Sequence, residues 1–220
     1  MKVLVVDTET NGLPEKENNN SPSIYNLKKW PNILQLSFLL YDTSNNKLLI
    51  LEDNLIKIES SINISEESTK INGITKTQCM RKGKDIRDLL LSFNNILNKC
   101  DIIVGHNISF DKRILLVEFI RLGISSNFSN KLTFCTMKNS ADICKIKKIN
   151  IKTNEEYNKY PTLLELHNFL FDNSPSGLHN SLVDILITLR CYCKLKNLTD
   201  PFNNKNINNL FKINNIYFSN

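Results

Sequence analysis

KVLVVDTETNGLP, residues 2–14, decides how the rest of the chain is read. Val3, Leu4, Val5 and Val6 run directly into Asp7, Thr8 and Glu9, the pattern of a buried β-strand that ends in acids. Side chains of a strand alternate between its faces, so Asp7 and Glu9 project together and Thr8 projects opposite. Two carboxylates on one patch repel and raise at least one pKa unless cations or hydrogen-bond donors neutralise them. A hard divalent cation is the natural partner for such oxygen ligands. Asn11-Gly12-Leu13-Pro14 closes the strand, because glycine permits a positive φ and proline removes a donor. The acids therefore stand at the carboxyl end of a strand, where open α/β sheets place their ligands. A strand running into an acidic surface turn would read the same way, so further acids have to decide.

Composition bounds the answer without giving it. A chain of 220 residues holds one domain with extensions more easily than two domains. The formal charge of +6 and a pI near 8.9 suit a polyanionic partner but do not require one. The six cysteines form no C-x-x-C pair and no Cys/His cluster, which argues against zinc and disulfides and for reduced thiols. One lysine precedes the first strand, without the apolar segment and cleavage site of a secretory signal. No run of about 18 apolar residues occurs, so the expectation is an intracellular protein, cytoplasmic or nuclear, with no signal peptide and no membrane span. The abundance of Asn, Ile and Lys in core and loop alike reads as a coding bias.

Residues 15–29 are polar and aperiodic, a long loop. Two apolar segments, 33–41 and 47–58, flank a turn signal at 42–46 and predict a hairpin added to the first strand. Residues 71–75 are a turn-rich connection, and 85–99 carry apolar residues at helical spacing. Ile102-Ile103-Val104 is a second buried strand closed by Gly105. A helix then runs from Ser109, as N-cap, to Leu122, with Asp111 in its first turn and Gly123 as its stop. Residues 132–135 form a short strand, and 161–171 and 181–195 two amphipathic helices. The densest basic stretch, 138–152, is a solvated face or a phosphate track. The division expected is a domain over 1–198 and an Asn-rich tail over 199–220, mobile or docked by Phe202, Leu210 and Phe211.

Asp111 and Asp184 both stand at starts of predicted helices. Ser181-x-x-Asp184 fits a capping pattern, and the positive end of the helix keeps such a carboxylate ionised. Taken singly, each acid is equally at home as a simple helix-start residue. His179 lies five residues before Asp184, a spacing that turns the two side chains apart on a continuous helix. Placed on the loop before a cap at Asn180 or Ser181, it becomes a free imidazole beside a carboxylate.

DTETNGLP (7–14), IIVGHNISFDKRIL (102–115) and HNSLVD (179–184) resemble, in order and spacing, the three exonuclease motifs of the DEDDh branch of the DnaQ-like superfamily. WPNILQLSF, INGIT, FCTM and PTLLELHNFL resemble segments that this family places between them, so the likeness extends over residues 1–196. The resemblance implies a ribonuclease H-like α/β fold with a mixed five-stranded central sheet flanked by helices, and 3′-to-5′ exonuclease activity. It makes Asp7, Glu9 and Asp184 ligands of one divalent metal, with Asp7 also touching a second metal that Asp111 helps to hold. His179 becomes the general base, Leu13 the wedge at the terminal base, Thr10 a backbone contact to the terminal nucleotide, and Asn107 an amide lining the site. Asn11, Asn72 and Ser181 depart from the commonest family residues (Thr, His and Ala) without removing a ligand or the base.

The implied reaction is two-metal hydrolysis at single-stranded DNA 3′ ends, releasing nucleoside monophosphates, with two Mg²⁺ for which Mn²⁺ substitutes. An imidazole is an acceptor of protons near neutral pH, which suits the base. His106 and His167 are weaker candidates. An exoribonuclease trimming RNA ends is the alternative, because the motifs do not choose the sugar. A non-catalytic nucleic-acid-binding module would lack an acid or the base, and none is missing. The expected partner is a nucleic acid 3′ end, and a separate polymerase is the partner that a proofreading role would add.

Overall fold

The computed structural model describes residues 1–15 and 21–219, so five residues of the predicted 15–29 loop lie outside the described residues. The first strand, β1 (Lys2–Thr10), holds both acids in its last four positions. Its apolar run is continuous because the strand is buried on both faces. Leu4 and Val6 enter one core, Val3 and Val5 the other. β2 (Ile33–Asp42) and β3 (Lys47–Leu55) form the expected hairpin, with β2 antiparallel to β1 and Val5 opposite Leu39.

Two seven-residue helices then flank the turn-rich connection: α1 (Glu66–Asn72), capped by Ser65, and α2 (Lys76–Lys82), capped by a Thr75/Gln78 capping box. The sequence reading missed both, because Cys79 is the only buried residue they share and no apolar stripe marks them. α3 (Ile86–Leu97) covers the first core with Leu89, Leu90, Phe93, Ile96 and Leu97.

β4 (Ile102–Gly105) runs parallel to β1 and leads into α4 (Ile108–Arg121) through two residues. A Cβ on Gly105 would lie 2.7 Å from Ile108 Cδ1 and 3.1 Å from its Cβ, so a side chain there would have to displace Ile108. The helix starts two residues earlier than expected: Asn107, with φ 63°, is its cap and Ser109 lies inside it. Asp111 nonetheless falls in the first turn, as expected.

β5 (Thr133–Cys135) pairs parallel to β4 and completes a mixed sheet of order β3-β2-β1-β4-β5, the five-stranded α/β architecture expected. α5 (Thr136–Cys144) and a small hairpin, β6 (Lys147–Ile149) with β7 (Glu156–Asn158), occupy the basic stretch. α6 (Leu163–Phe171) precedes a two-residue strand, β8 (Ser174–Pro175), and then α7 (Ser181–Leu195), buried around most of its circumference in the second core. Asn180, not Ser181, caps α7, its Oδ1 accepting from the Leu182 and Val183 N–H groups. α8 (Lys205–Ile213) and β9 (Phe218–Ser219) end the described chain, with Ile207, Phe211 and Ile216 in the second core. Among the described residues no helix is long and apolar enough to cross a membrane.

A half-buried arginine of α4 ties the loop after β1 to that helix. Arg121 pairs with Glu118, and its guanidinium also donates to the carbonyls of Leu27 (2.8 Å), Trp30 (2.8 Å) and Pro31 (3.1 Å) and to Asn32 Oδ1 (3.2 Å). Asn32 in turn exchanges hydrogen bonds with Asn11 at the end of β1 (2.7 and 3.1 Å). Removing the arginine strands a buried carboxylate and several carbonyls, which costs far more than the pair itself contributes. Arg121→Ala is expected to lower the unfolding free energy by about 3–5 kcal/mol in urea titrations; a loss below about 1 kcal/mol would show that this clamp does not hold the loop.

Candidate active site

The two faces of β1 are continued by two helices. Its odd-numbered residues face α7, so Asp7 and Glu9 meet Asp184 from the first turn of that helix. One carboxylate oxygen from each of these three residues lies within 4.8 Å of the others. The even-numbered residues face α4, and there Thr8 meets Asp111. Asp111 Oδ1 accepts both the Thr8 N–H and the Thr8 hydroxyl, each at 2.9 Å. The parallel ladder of β1 with β4 stops at Val5 opposite Val104, which leaves the Thr8 N–H free of a strand partner on that side and available to a side chain. Asp111 is thus fixed beside the three-carboxylate group rather than counted within it.

Burial raises all four acids, and repulsion between carboxylates adds to it at Asp7, Glu9 and Asp184. Burial, then the charges of Asp111, Asp184 and Glu9, holds Asp7 far above the usual carboxylate range. Glu9 is pushed up to about 8 by burial and by Asp184 and Asp111, against a hydrogen bond from the Asn72 side chain. Asp111 is raised to about 7 by burial, opposed by its bonds from Thr8. Asp184 is raised to about 7 by burial and Asp111, opposed by a backbone hydrogen bond from His179. Asp184 Oδ1 is buried without a hydrogen-bond partner. A buried oxygen left unsatisfied is costly, and a cluster of oxygen donors that cannot all ionise together suits a hard divalent cation. The residues present therefore fit a metal held by Asp7, Glu9 and Asp184, with Asp111 alongside.

His179 is exposed and precedes the α7 cap, on a loop where it adopts φ 68° and makes no side-chain hydrogen bond among the described residues. The other two histidines are structural. His106 bonds Thr136 Oγ1 (3.0 Å) and the Pro161 carbonyl (3.1 Å), and burial pushes it down to about 4. His167 is likewise held neutral, lowered to about 4 by burial.

Beside the acids lies a cleft of about 380 Å³, whose lining includes Glu9, Thr10, Leu13, Ile71, Asn72 and Phe110. Leu13 is 80% exposed at its edge. The Thr10 hydroxyl donates to the Gly12 carbonyl at 2.7 Å, shaping the turn that presents Leu13. Asn107 is exposed at the α4 cap, accepts from the Ser109 hydroxyl (3.1 Å) and is not among the residues lining this cleft. Ile71 and Phe110 were missed as lining residues. Phe110 stands next to Asp111 in the motif and Ile71 opens the INGIT segment that resembles the family, which were the available signals.

Raised carboxylate pKa values have a definite consequence for stability. Between the unfolded value near 4 and folded values of about 7 to 8, the folded protein holds protons that the unfolded chain has released. The metal-free protein should therefore lose stability as pH rises through that window, by roughly 1.4 kcal/mol per pH unit for each such proton. Thermal melts from pH 4 to 8 with chelator are expected to fall steadily, and divalent cation to restore the midpoint most at the alkaline end. A pH-independent midpoint would mean that the folded acids hold no more protons than the unfolded chain does.

Comparison with known proteins supplies the family. Among solved structures, exonuclease X in complex with 5′-overhanging duplex DNA aligns with a TM-score of 0.57 at 21% identity, over 89% of this chain and 91% of that one. E. coli exonuclease I in complex with a dT13 oligonucleotide aligns with a TM-score of 0.63 at 16% identity, over 88% of this chain and 40% of its own. A further exonuclease I structure, described as suggesting how processivity is achieved, gives 0.64 at 16% identity over 96% and 43%. The chain thus spans less than half of exonuclease I, and at these identities the likeness concerns the fold. No curated protein sequence matches the chain. The RNase_T exonuclease family model matches residues 4–192, a span that holds all four acids and His179. The chain belongs to this family of DnaQ-like, divalent-metal-dependent 3′-to-5′ exonucleases.

Proposed function

We propose that the protein removes nucleotides one at a time from the 3′ ends of single-stranded DNA, with Asp7, Glu9, Asp111 and Asp184 holding two Mg²⁺ and His179 acting as general base. In this reading residues 1–198 form the catalytic domain and 199–220 a flank packed against it. The observation that carries the proposal is the meeting of Asp7, Glu9 and Asp184 within 4.8 Å, with one buried Asp184 oxygen left without a donor. Divalent cations held by these carboxylates would supply charge neutralisation and Lewis-acid chemistry at the phosphodiester.

The chain's own groups do the rest. Asp111, locked by two hydrogen bonds to Thr8, keeps its carboxylate aimed at the cluster without rearranging. His179 accepts the proton of the attacking water at a ring nitrogen, while its backbone bond to Asp184 keeps the loop beside the acids. Leu13, Phe110 and Ile71 offer an apolar wall on which a terminal base packs, and Thr10 and Asn72 place polar groups at its sugar edge. Asn107, at the rim formed by the start of α4, contributes an amide to the approaching strand. The DNA preference draws on exonucleases X and I, whose structures are complexes with DNA.

The test is a time course on 5′-labelled single strands of DNA and of RNA with one sequence, in Mg²⁺ and in chelator. DNA shortening from its 3′ end, faster than RNA and abolished by chelator, is expected; faster loss of RNA would make the protein an exoribonuclease. His179→Ala should lower kcat about 100-fold or more with oligonucleotide Kd changed less than about 2-fold, as for loss of a general base. Asp7→Ala should abolish cleavage, and a His179→Ala enzyme working at the parent rate would overturn the assignment of the base.

A further inference from the structure

We infer that the end of the chain, residues 215–219, is a brace for the His179 loop, making Ser176, Tyr217 and Phe218 positioning residues for the reaction. The inference rests on the reading of His179 as general base. β8 and β9 pair antiparallel, Ser174 opposite Ser219 and Pro175 opposite Phe218. The ladder is extended by side chain and backbone together. The Ser176 N–H donates to the Tyr217 carbonyl (2.9 Å), the Tyr217 N–H donates to Ser176 Oγ (2.8 Å), and that hydroxyl reaches the Asn215 carbonyl (3.4 Å). The backbone is therefore fixed up to Ser176. It is fixed again at Asn180, the cap of α7.

Between those two anchors stand only Gly177, Leu178 and His179. Gly177 has φ 78° and His179 φ 68°. A left-handed backbone is disfavoured for a residue with a Cβ and persists where the surroundings impose it. Here the imposing surroundings are the two anchors, one of which is supplied from the far end of the chain.

The brace is itself rigidly held. The Phe218 ring stacks on His167 (5.4 Å between centroids, 25°) and packs against Phe202 (5.2 Å) and Phe211 (5.8 Å). Arg190 of α7 lies 3.8 Å from the centroid of Phe171 and 5.2 Å from that of Phe218, and its guanidinium donates to Asp200. It also bonds His167 Nε2 at 3.0 Å, and because a guanidinium can only donate, Nε2 must accept and Nδ1 must carry the proton. That Nδ1–H donates to the Asn173 carbonyl at 2.9 Å, one residue before β8. The cluster thus grips both the brace and the entry to the loop. The acids are supplied by β1, α4 and α7, and the braced loop meets them through the His179 backbone bond to Asp184.

The experiment is a double-mutant cycle in the full-length protein, reading kcat and KM on a single-stranded oligonucleotide and Mn²⁺ affinity by calorimetry. Phe218→Ala is expected to lower kcat about 10-fold and the milder, exposed Ser176→Ala about 3-fold, with KM and Mn²⁺ affinity changed less than about 2-fold, because small misplacement of a reacting group costs rate rather than binding. Ser176→Thr, which keeps the hydroxyl, should retain the parent kcat. In a His179→Ala background each variant should lose less than about 2-fold further, since the brace then has nothing left to position. Falls of equal size in both backgrounds, or no fall in kcat in either, would overturn the brace and leave the base assignment standing. A fully active His179→Ala enzyme would instead remove the reading on which the brace rests.

Discussion

Everything at this site follows from carboxylates that the fold buries side by side. β1 is buried on both faces for four residues and then continues, in the same pleat, through Asp7, Thr8 and Glu9. Because the alternation does not stop where the apolar run stops, the acids inherit the directions already taken by Val3 and Val5, toward α7. Asp184 in the first turn of α7 completes the group. The geometry is set by the hydrophobic cores, and the electrostatic cost is borne at their edge.

That cost is visible in the protonation of the site. All four acids are raised, with burial the first cause in every case. The helix ends, which favour anions, only soften the effect. A site that keeps protons when empty and releases them to a cation is poised for metal-dependent chemistry, and the same poise makes the unliganded fold less stable than it would be with neutral side chains in these places. Thr8 shows how the fold limits the damage. Its N–H and hydroxyl both serve Asp111, so one of the four acids is satisfied from within the protein.

Much of this was legible in the sequence for a physical reason. Val3 to Val6 carry the strand period and two-sided burial, Ser109 to Leu122 the helical one, and the acids sit at the boundaries of those periods. The caps were less legible. Ser109 looks like an N-cap, yet the structure uses Asn107; of the two caps the sequence offers for α7 it uses Asn180, and Ser181 contacts Ser37 across the core instead. Short elements escaped because they bury too little to leave a stripe, as with α1, whose Ile71 and Asn72 nevertheless line the cleft. The chain's end was half legible: its sequence fits a mobile tail or one docked by Phe202, Leu210 and Phe211, and the structure docks it, with those three, Ile207, Ile216 and Phe218 on the second core.

The division of labour between rigid and loop-borne groups also has a physical logic. Carboxylates that must hold a multivalent ion at fixed separation gain from elements whose backbone bonds are internal, and the acids here come from one strand and two helix starts. A proton acceptor has a different requirement, since it must reach solvent to be recycled, which favours an exposed loop. Exposure alone would leave that loop free to wander. In the proposed reading, holding it at Asn180 on one side and through Ser176 on the other reconciles access with position, with the aromatic cluster around Arg190 packed behind the second anchor. In the proposed reading the late strand β9 matters to the site for the same reason as β1: each pairs with a strand that lies beside a group assigned to the reaction.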